Sequence, residues 1–103
     1  MLTEGRKITA ANVHSTNVYI YQPEVVEALA LHGLAPRGHT PPQQLRDAVR
    51  ELYKYEIRRL RDRLIAGEII KRDYAGHVVH LRRRYWLLSV PTELWTSAGD
   101  SAR

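Results

Sequence analysis

The longest regular pattern of apolar and polar positions in this chain runs from Pro41 to Ala66. Its apolar residues recur at three- and four-residue spacing, as on one face of an amphipathic helix. They are Leu45, Val49, Leu52, Tyr53, Leu60 and Leu64. Thr40 suits the N-cap of this helix and Pro41 its first position, while Gly67 ends it. The pattern predicts a helix of roughly 25 residues, about 38 Å long.

A second helical pattern follows from about Lys71 to Tyr85. Its apolar positions step by four, three, four and three residues, which is heptad spacing. Because only a short turn separates the two patterns, we expect the helices to pack antiparallel as a helical hairpin. Ser89 to Trp95 then predicts a short return segment, in which Leu94 and Trp95 dock on the hairpin.

The N-terminal part predicts a short strand and a short helix. Val18 to Tyr21 are four strong β-formers. This segment should pair with the weaker segment Lys7–Ala10, pair with another subunit, or lie extended over the helices. Pro23 opens a helix that runs to His32, and the Gly33-Leu34 pair favours a Schellman-type cap.

These elements predict a mainly α fold, with a short helix plus a long antiparallel helical hairpin, an N-terminal extended or β arm, and a short C-terminal docking turn. The 103 residues fit a single domain. Within it, we expect residues 1–17 to form a flexible or extended arm and 18–40 the short strand and helix. We expect residues 41–95 to form the hairpin with its docking segment, and 96–103 a disordered tail.

The composition excludes several classes of protein. There are no cysteines, which rules out disulfides, thiol nucleophiles and thiolate metal sites. No apolar stretch approaches the roughly 20 residues of a membrane span, and Met1 to Ala11 lacks the apolar core of a signal peptide. We therefore expect a cytoplasmic protein with no membrane partner and no cofactor. Its net charge of +5 favours an acidic macromolecule as partner, either protein or nucleic acid.

Four cations lie on one side of the long predicted helix, at Arg50, Lys54, Arg58 and Arg61. Such a stripe suits a phosphate backbone, because guanidinium groups bind phosphate and displaced counterions add affinity. Asp47, Glu51 and Asp62 lie beside it. The alternative is therefore an ordinary solvated face of mixed charge.

Arg82, Arg83 and Arg84 are followed directly by Tyr85 and Trp86. Basic residues beside aromatics occur where proteins grip single-stranded nucleic acid by stacking. Consecutive helical residues point about 100° apart, so the three arginines are not expected to form one patch. Tyr85 fits the apolar seam, which leaves Trp86 as the exposed aromatic residue.

Glu56 falls inside the apolar stripe of the long helix, and a buried carboxylate needs a partner. Arg59 and Arg63 lie three and seven residues further on, so we predict a structural ion pair. The alternative, a lone general acid or base, lacks a second catalytic group nearby in sequence.

Asp73, His77 and His80 share one face of the second predicted helix. Two imidazoles and a carboxylate are possible ligands for zinc or another divalent ion. Histidine-rich helices that bind zinc normally offer a tighter catalytic context, such as a glutamate beside the first histidine, and this chain has none there. We therefore predict exposed histidines and no metal site.

The segment from Leu60 to Tyr85 resembles the short C-terminal domain family. The shared features are the leucine spacing, the turn Ala66-Gly67-Glu68-Ile69, and the pair Asp73-Tyr74 that opens the second helix. Members are small two-helix modules, usually appended to other proteins and generally thought to act in oligomerisation or partner contact. The resemblance implies a hairpin that associates.

The combined prediction is a small, basic, non-enzymatic interaction or oligomerisation module. We expect a homo-oligomer, most simply a dimer, because a long hairpin in a chain with six tyrosines and two tryptophans has more apolar surface than 103 residues can cover. The alternative is a nucleic-acid-binding protein that uses the basic helix face. No motif of a known nucleic-acid-binding fold, phosphate loop or catalytic nucleophile is present in the sequence.

Overall fold

The computed structural model describes residues 18–97. This part of the chain is mainly helical, as the sequence predicts. Its elements are α1 (Pro23–Leu31), α2 (Pro42–Ile65) and α3 (Lys71–Arg84), followed by two 3-10 turns, Trp86–Ser89 and Thr92–Leu94. The predicted arm 1–17, pairing with Lys7–Ala10 and tail beyond Ser97 lie outside the described residues. No helix of residues 18–97 is long and apolar enough to cross a membrane.

Glycine in a left-handed conformation ends both α1 and α2. At α1, Gly33 has a φ of 79°, and the Leu34 N–H donates to the Leu29 carbonyl at 2.9 Å. At α2, Gly67 has a φ of 81°, and the Glu68 N–H donates to the Arg63 carbonyl at 2.9 Å. Both arrangements are Schellman motifs, which only glycine adopts without strain. The second one turns the chain so that α3 packs against α2.

The long helix starts one residue later than predicted. Pro41 is extended (φ −66°, ψ 139°), and the first helical residue is Pro42. The reason is steric, because a proline disfavours the helical conformation in the residue before it. Thr40 was expected to cap the helix, but its hydroxyl accepts a hydrogen bond from the Arg37 N–H at 3.0 Å instead. No side-chain cap is present at this end.

The core is formed jointly by the three helices, the α2–α3 turn and the segment after α3. Its buried members in the described chain are Val25, Ala28, Leu29, Leu45, Val49, Leu60, Ile69, Leu81, Tyr85, Leu87 and Trp95. Most of the residues of α2 and α3 face solvent, so this core is small for the length of helix it supports. The open faces of α2 and α3 are where binding surfaces must be sought.

The C-terminal return segment docks through Trp95 and not through Leu94. Trp95 is fully buried, and its indole N–H donates to the Val90 carbonyl at 3.0 Å. Leu94 is 63% exposed, so its predicted docking is wrong. The two differ because neighbouring residues of a 3-10 turn point about 120° apart, which turns one outward when the other faces the core.

The predicted strand at Val18 to Tyr21 is not formed in the described chain, where Tyr21 makes only an isolated antiparallel bridge with Thr96. On either side of the bridge, the Gln22 N–H donates to the Trp95 carbonyl at 2.9 Å and the Ser97 N–H to the Ile20 carbonyl at 2.7 Å. Backbone groups of Ile20 and Gln22 in the extended segment thus have hydrogen-bond partners within their own chain. Its partner includes residues 96 and 97, which were predicted to belong to a disordered tail.

Candidate functional site

A groove of about 540 Å³ runs between α2 and α3. We call it the inter-helix groove and define it by its polar side chains, Glu56, Arg59, Arg63, His77, His80 and Arg84. Leu60 and Leu81, which are buried where the two helices meet, also line it. The packing of these leucines fixes the helices, and the amphipathic pattern then places the charged residues along the groove.

Glu56 is half-buried and accepts a hydrogen bond from the hydroxyl of Tyr85 at 2.5 Å. The predicted ion pair with Arg59 and Arg63 is wrong, since within residues 18–97 no ion pair joins Glu56 to either arginine. A phenol hydroxyl satisfies the carboxylate without the cost of bringing a second charge out of water. The partner of Glu56 in this structure is thus Tyr85, and its structural role stays a prediction.

The two arginines expected beside Glu56 make other contacts. The guanidinium carbon of Arg59 lies 5.9 Å from the ring centroid of Tyr55, in a cation–π arrangement. Nε of Arg63 lies 3.5 Å from a carboxylate oxygen of Glu68 in the turn. Both members of this second pair are well exposed, so the pair contributes little stability.

Tyr85 is the centre of an aromatic cluster beneath the groove. Its ring stacks on His32 with centroids 4.3 Å apart and meets Tyr53 edge-on at 5.3 Å. Burial, with the hydrogen bond and negative charge of Glu56, raises the pKa of Tyr85 to about 12. Burial lowers the pKa of His32, and the nearby Arg84 guanidinium adds to this effect. Both groups are therefore uncharged at neutral pH, which suits their packing in the aromatic cluster.

The predicted basic stripe on α2 carries mixed charge. Arg50 pairs with Asp47 at 3.1 Å, and Lys54 pairs with Glu51 at 3.3 Å. Arg58 and Arg61 are exposed further along the same helix. Ion pairs this exposed add little stability, but they neutralise half of the stripe. The structure thus favours the solvated, mixed-charge interpretation of this face.

Arg82 and Arg83 line a second groove of about 540 Å³, together with the partly exposed Trp86. We call it the terminal groove, and its apolar lining comes from Tyr53, Val79, Tyr85, Trp86 and Leu88. Arg84 lines the inter-helix groove instead. The arginine triplet is therefore divided between two surfaces, as the 100° step between helical residues predicts.

Asp73, His77 and His80 do not form a metal site in residues 18–97, where no group of three metal-ligating side chains is arranged to hold an ion. His77 and His80 line the inter-helix groove and Asp73 does not. Asp73 and His80 lie seven residues, or about 10.5 Å, apart along the helix.

Sequence reasoning missed the inter-helix groove as a unit and the contact between Tyr85 and Glu56. A usable signal was present, because Glu56 is a polar residue in one apolar seam and Tyr85 carries a hydroxyl in the other. The sequence does not give the rotation of each helix about its axis, and this rotation decides which residues of the two helices face each other. Local spacing pointed to Arg59 instead.

Similarity to known proteins gives no further indication of the chemistry of these grooves. No protein-family model, no curated protein and no solved structure matches this chain. The resemblance to the short C-terminal domain family therefore stays a prediction.

Proposed function

We propose that the chain is a small, basic, non-enzymatic interaction module. It assembles as a homodimer through the closed end of an antiparallel α2–α3 hairpin, which is the turn at Gly67 with the helix ends beside it. The observation that carries this proposal is the apolar surface around the turn. Ile65 is 78% exposed and Ile70 is 50% exposed, on either side of Gly67. A domain of this size has little core to spare, so leaving two isoleucines in water is a cost that a partner surface would remove. The proposal includes a cytoplasmic location, which the absence of cysteine supports.

The charges around these isoleucines favour a second copy as the occupant. Both signs are present there, as Asp62, Arg63, Glu68, Lys71, Arg72 and Asp73. A surface of mixed charge is able to complement itself across a two-fold axis, whereas a surface of one sign repels its own copy. The closed end meets this condition, and the terminal groove, with Arg82 and Arg83, does not.

Ile65→Glu combined with Ile70→Glu should convert the proposed dimer to a monomer. Together the two isoleucines should contribute about 2 kcal/mol or more at the centre of the interface, so we expect the dimer dissociation constant to rise by at least about thirtyfold. Sedimentation velocity over a micromolar concentration range measures this. The matched control is Leu31→Glu with Leu94→Glu, whose leucines are 77% and 63% exposed on α1 and on the second 3-10 turn.

The control should remain dimeric. A parent protein that sediments as an 11.9 kDa monomer would refute self-association altogether. A dimer that survives the isoleucine replacements would refute the closed end as its interface.

Nucleic acid is the second candidate partner, and the terminal groove specifically favours it. Arg82 and Arg83 supply positive charge beside the exposed indole of Trp86. Proteins that bind single strands combine these two features, because bases stack on aromatic rings while cations contact phosphates. This site replaces the α2 stripe, where Arg50 and Lys54 already have acidic partners.

Arg82→Gln with Arg83→Gln should weaken binding of a fluorescent single-stranded oligonucleotide by about tenfold or more at roughly 50 mM salt. The control pair, Arg50→Gln with Arg58→Gln, removes the same charge from α2 and should change binding less than threefold, or by about 0.6 kcal/mol. Trp86→Phe should abolish the tryptophan quenching that the oligonucleotide causes, because Trp95 is buried. Equal losses in both pairs, or no binding at this salt concentration, would exclude the terminal groove.

A further inference from the structure

The inter-helix groove carries more positive charge than the packing of α2 against α3 requires. Arg59, Arg63 and Arg84 line it, and the only carboxylate among its lining residues is Glu56. Because the hydroxyl of Tyr85 already donates to Glu56 at 2.5 Å, that carboxylate is held at the edge of the aromatic cluster. One carboxylate set against three guanidinium groups leaves the groove with a net positive charge.

The arginines are also weakly engaged elsewhere. Arg59 makes a cation–π contact with Tyr55, which leaves its N–H donors open to a ligand. The Arg63–Glu68 pair is long, at 3.5 Å, and well exposed. Within residues 18–97, Arg84 takes part in no ion pair. A ligand with several negative charges would find donors here without first displacing a strong salt bridge.

The spacing of the cations follows the groove. Arg59 and Arg63 are one turn apart on α2, and His77 and Arg84 are about two turns, or roughly 10.5 Å, apart on α3. The groove's volume of about 540 Å³ is in the range of small-ligand sites. A compact anion such as a single phosphate would reach one end only. A linear chain of phosphates would reach the cations of both helices.

We infer that the inter-helix groove binds a linear oligophosphate, the chemistry shared by inorganic tripolyphosphate and the triphosphate group of a nucleotide. Arg59, Arg63 and Arg84 bind its oxygens through paired N–H donors, the geometry in which guanidinium matches phosphate. Leu60 and Leu81 keep water from one side of the ligand, which strengthens the attraction between the charges. None of these arginines lines the terminal groove, and of the three only Arg63 is also among the charges beside the proposed dimer interface.

Isothermal titration calorimetry of the full chain tests this, with tripolyphosphate and inorganic phosphate as ligands. Tripolyphosphate should bind at least about tenfold more tightly, since it engages one further charged hydrogen bond or more. Equal affinity for the two ligands would overturn the inference. Adenosine triphosphate distinguishes the two sources of a phosphate chain. Affinity equal to that for tripolyphosphate would mean that the groove recognises the phosphates alone, and tighter binding would mean that it recognises a nucleotide.

Three substitutions locate the site. Arg59→Gln and Arg84→Gln should each weaken tripolyphosphate binding by about tenfold. Glu56→Gln keeps an acceptor for the Tyr85 hydroxyl and removes the opposing charge, so it should tighten binding by about two- to tenfold. This gain is not expected of a residue with a purely structural role.

The matched control is Arg58→Gln, one position from Arg59 and with the same loss of charge. Arg58 is exposed and does not line the groove, so tripolyphosphate binding should change less than twofold, or by about 0.4 kcal/mol. If Arg58→Gln weakens binding as much as Arg59→Gln, the attraction is a property of the net charge and the inference fails. Arg82→Gln with Arg83→Gln should leave tripolyphosphate binding intact. This variant therefore distinguishes failure of the oligophosphate inference from failure of the nucleic-acid proposal.

Discussion

Trp95→Ala should lower the free energy of unfolding by about 3–5 kcal/mol, one of the two largest effects we expect from this structure. Trp95 is the largest fully buried side chain in the described chain, and its indole N–H bonds to the Val90 carbonyl. Alanine would lose these apolar contacts and leave a cavity, and the Val90 carbonyl would lose its donor. Urea titration followed by far-ultraviolet circular dichroism measures the change.

The adjacent residue supplies the control for this experiment. Leu94 is 63% exposed, so Leu94→Ala should cost no more than about 0.5 kcal/mol. Similar costs for the two substitutions would show that the C-terminal segment does not dock through its tryptophan. The difference between the two costs therefore measures the docking itself.

Tyr85→Ala should also cost about 3–5 kcal/mol, because it removes an aromatic ring that packs against His32 and Tyr53. Tyr85→Phe keeps the ring and removes only the hydroxyl that Glu56 accepts from. Since Glu56 is half-buried and water replaces part of the lost bond, we expect a cost of about 1 kcal/mol. Urea titration of both variants separates ring packing from the hydrogen bond.

A double-mutant cycle of Tyr85→Phe with Glu56→Gln checks that this contact is direct. The two changes should be non-additive by at least about 0.5 kcal/mol, because each removes or weakens the same bond. Fully additive costs would mean that Glu56 and Tyr85 act independently. The matching cycle of Glu56→Gln with Arg59→Gln should be additive in stability, since these residues form no ion pair.

The helical part of the fold was predictable because its signals are local. Apolar spacing locates α2 and α3. Gly33 and Gly67 mark the ends of α1 and α2, where the chain needs a residue in the left-handed conformation. The start of α2 needed one more local rule, which is that Pro42 forces Pro41 out of the helix. Trp95 was correctly expected to dock, since a large aromatic residue in a short return segment gains most from burial.

The grooves were only partly predictable because they depend on contacts between distant residues. The division of the arginine triplet follows from helix geometry alone, and so does the exposure of Trp86. The partner of Glu56 does not, because Tyr85 lies 29 residues away and competes with arginines much nearer in sequence. The extended segment at Tyr21 likewise has its partner at Thr96.

That last contact bears on the order in which the protein assembles. The Gln22 side chain donates to the Thr96 carbonyl across a separation of 74 residues, and the backbone bonds beside it span a similar loop. Closing so long a loop before the helices are in place would cost conformational entropy that two or three hydrogen bonds do not return. The contact between the two ends of the described chain should therefore form last during folding. Under tension applied to those ends, it would be the first part of the protein to open.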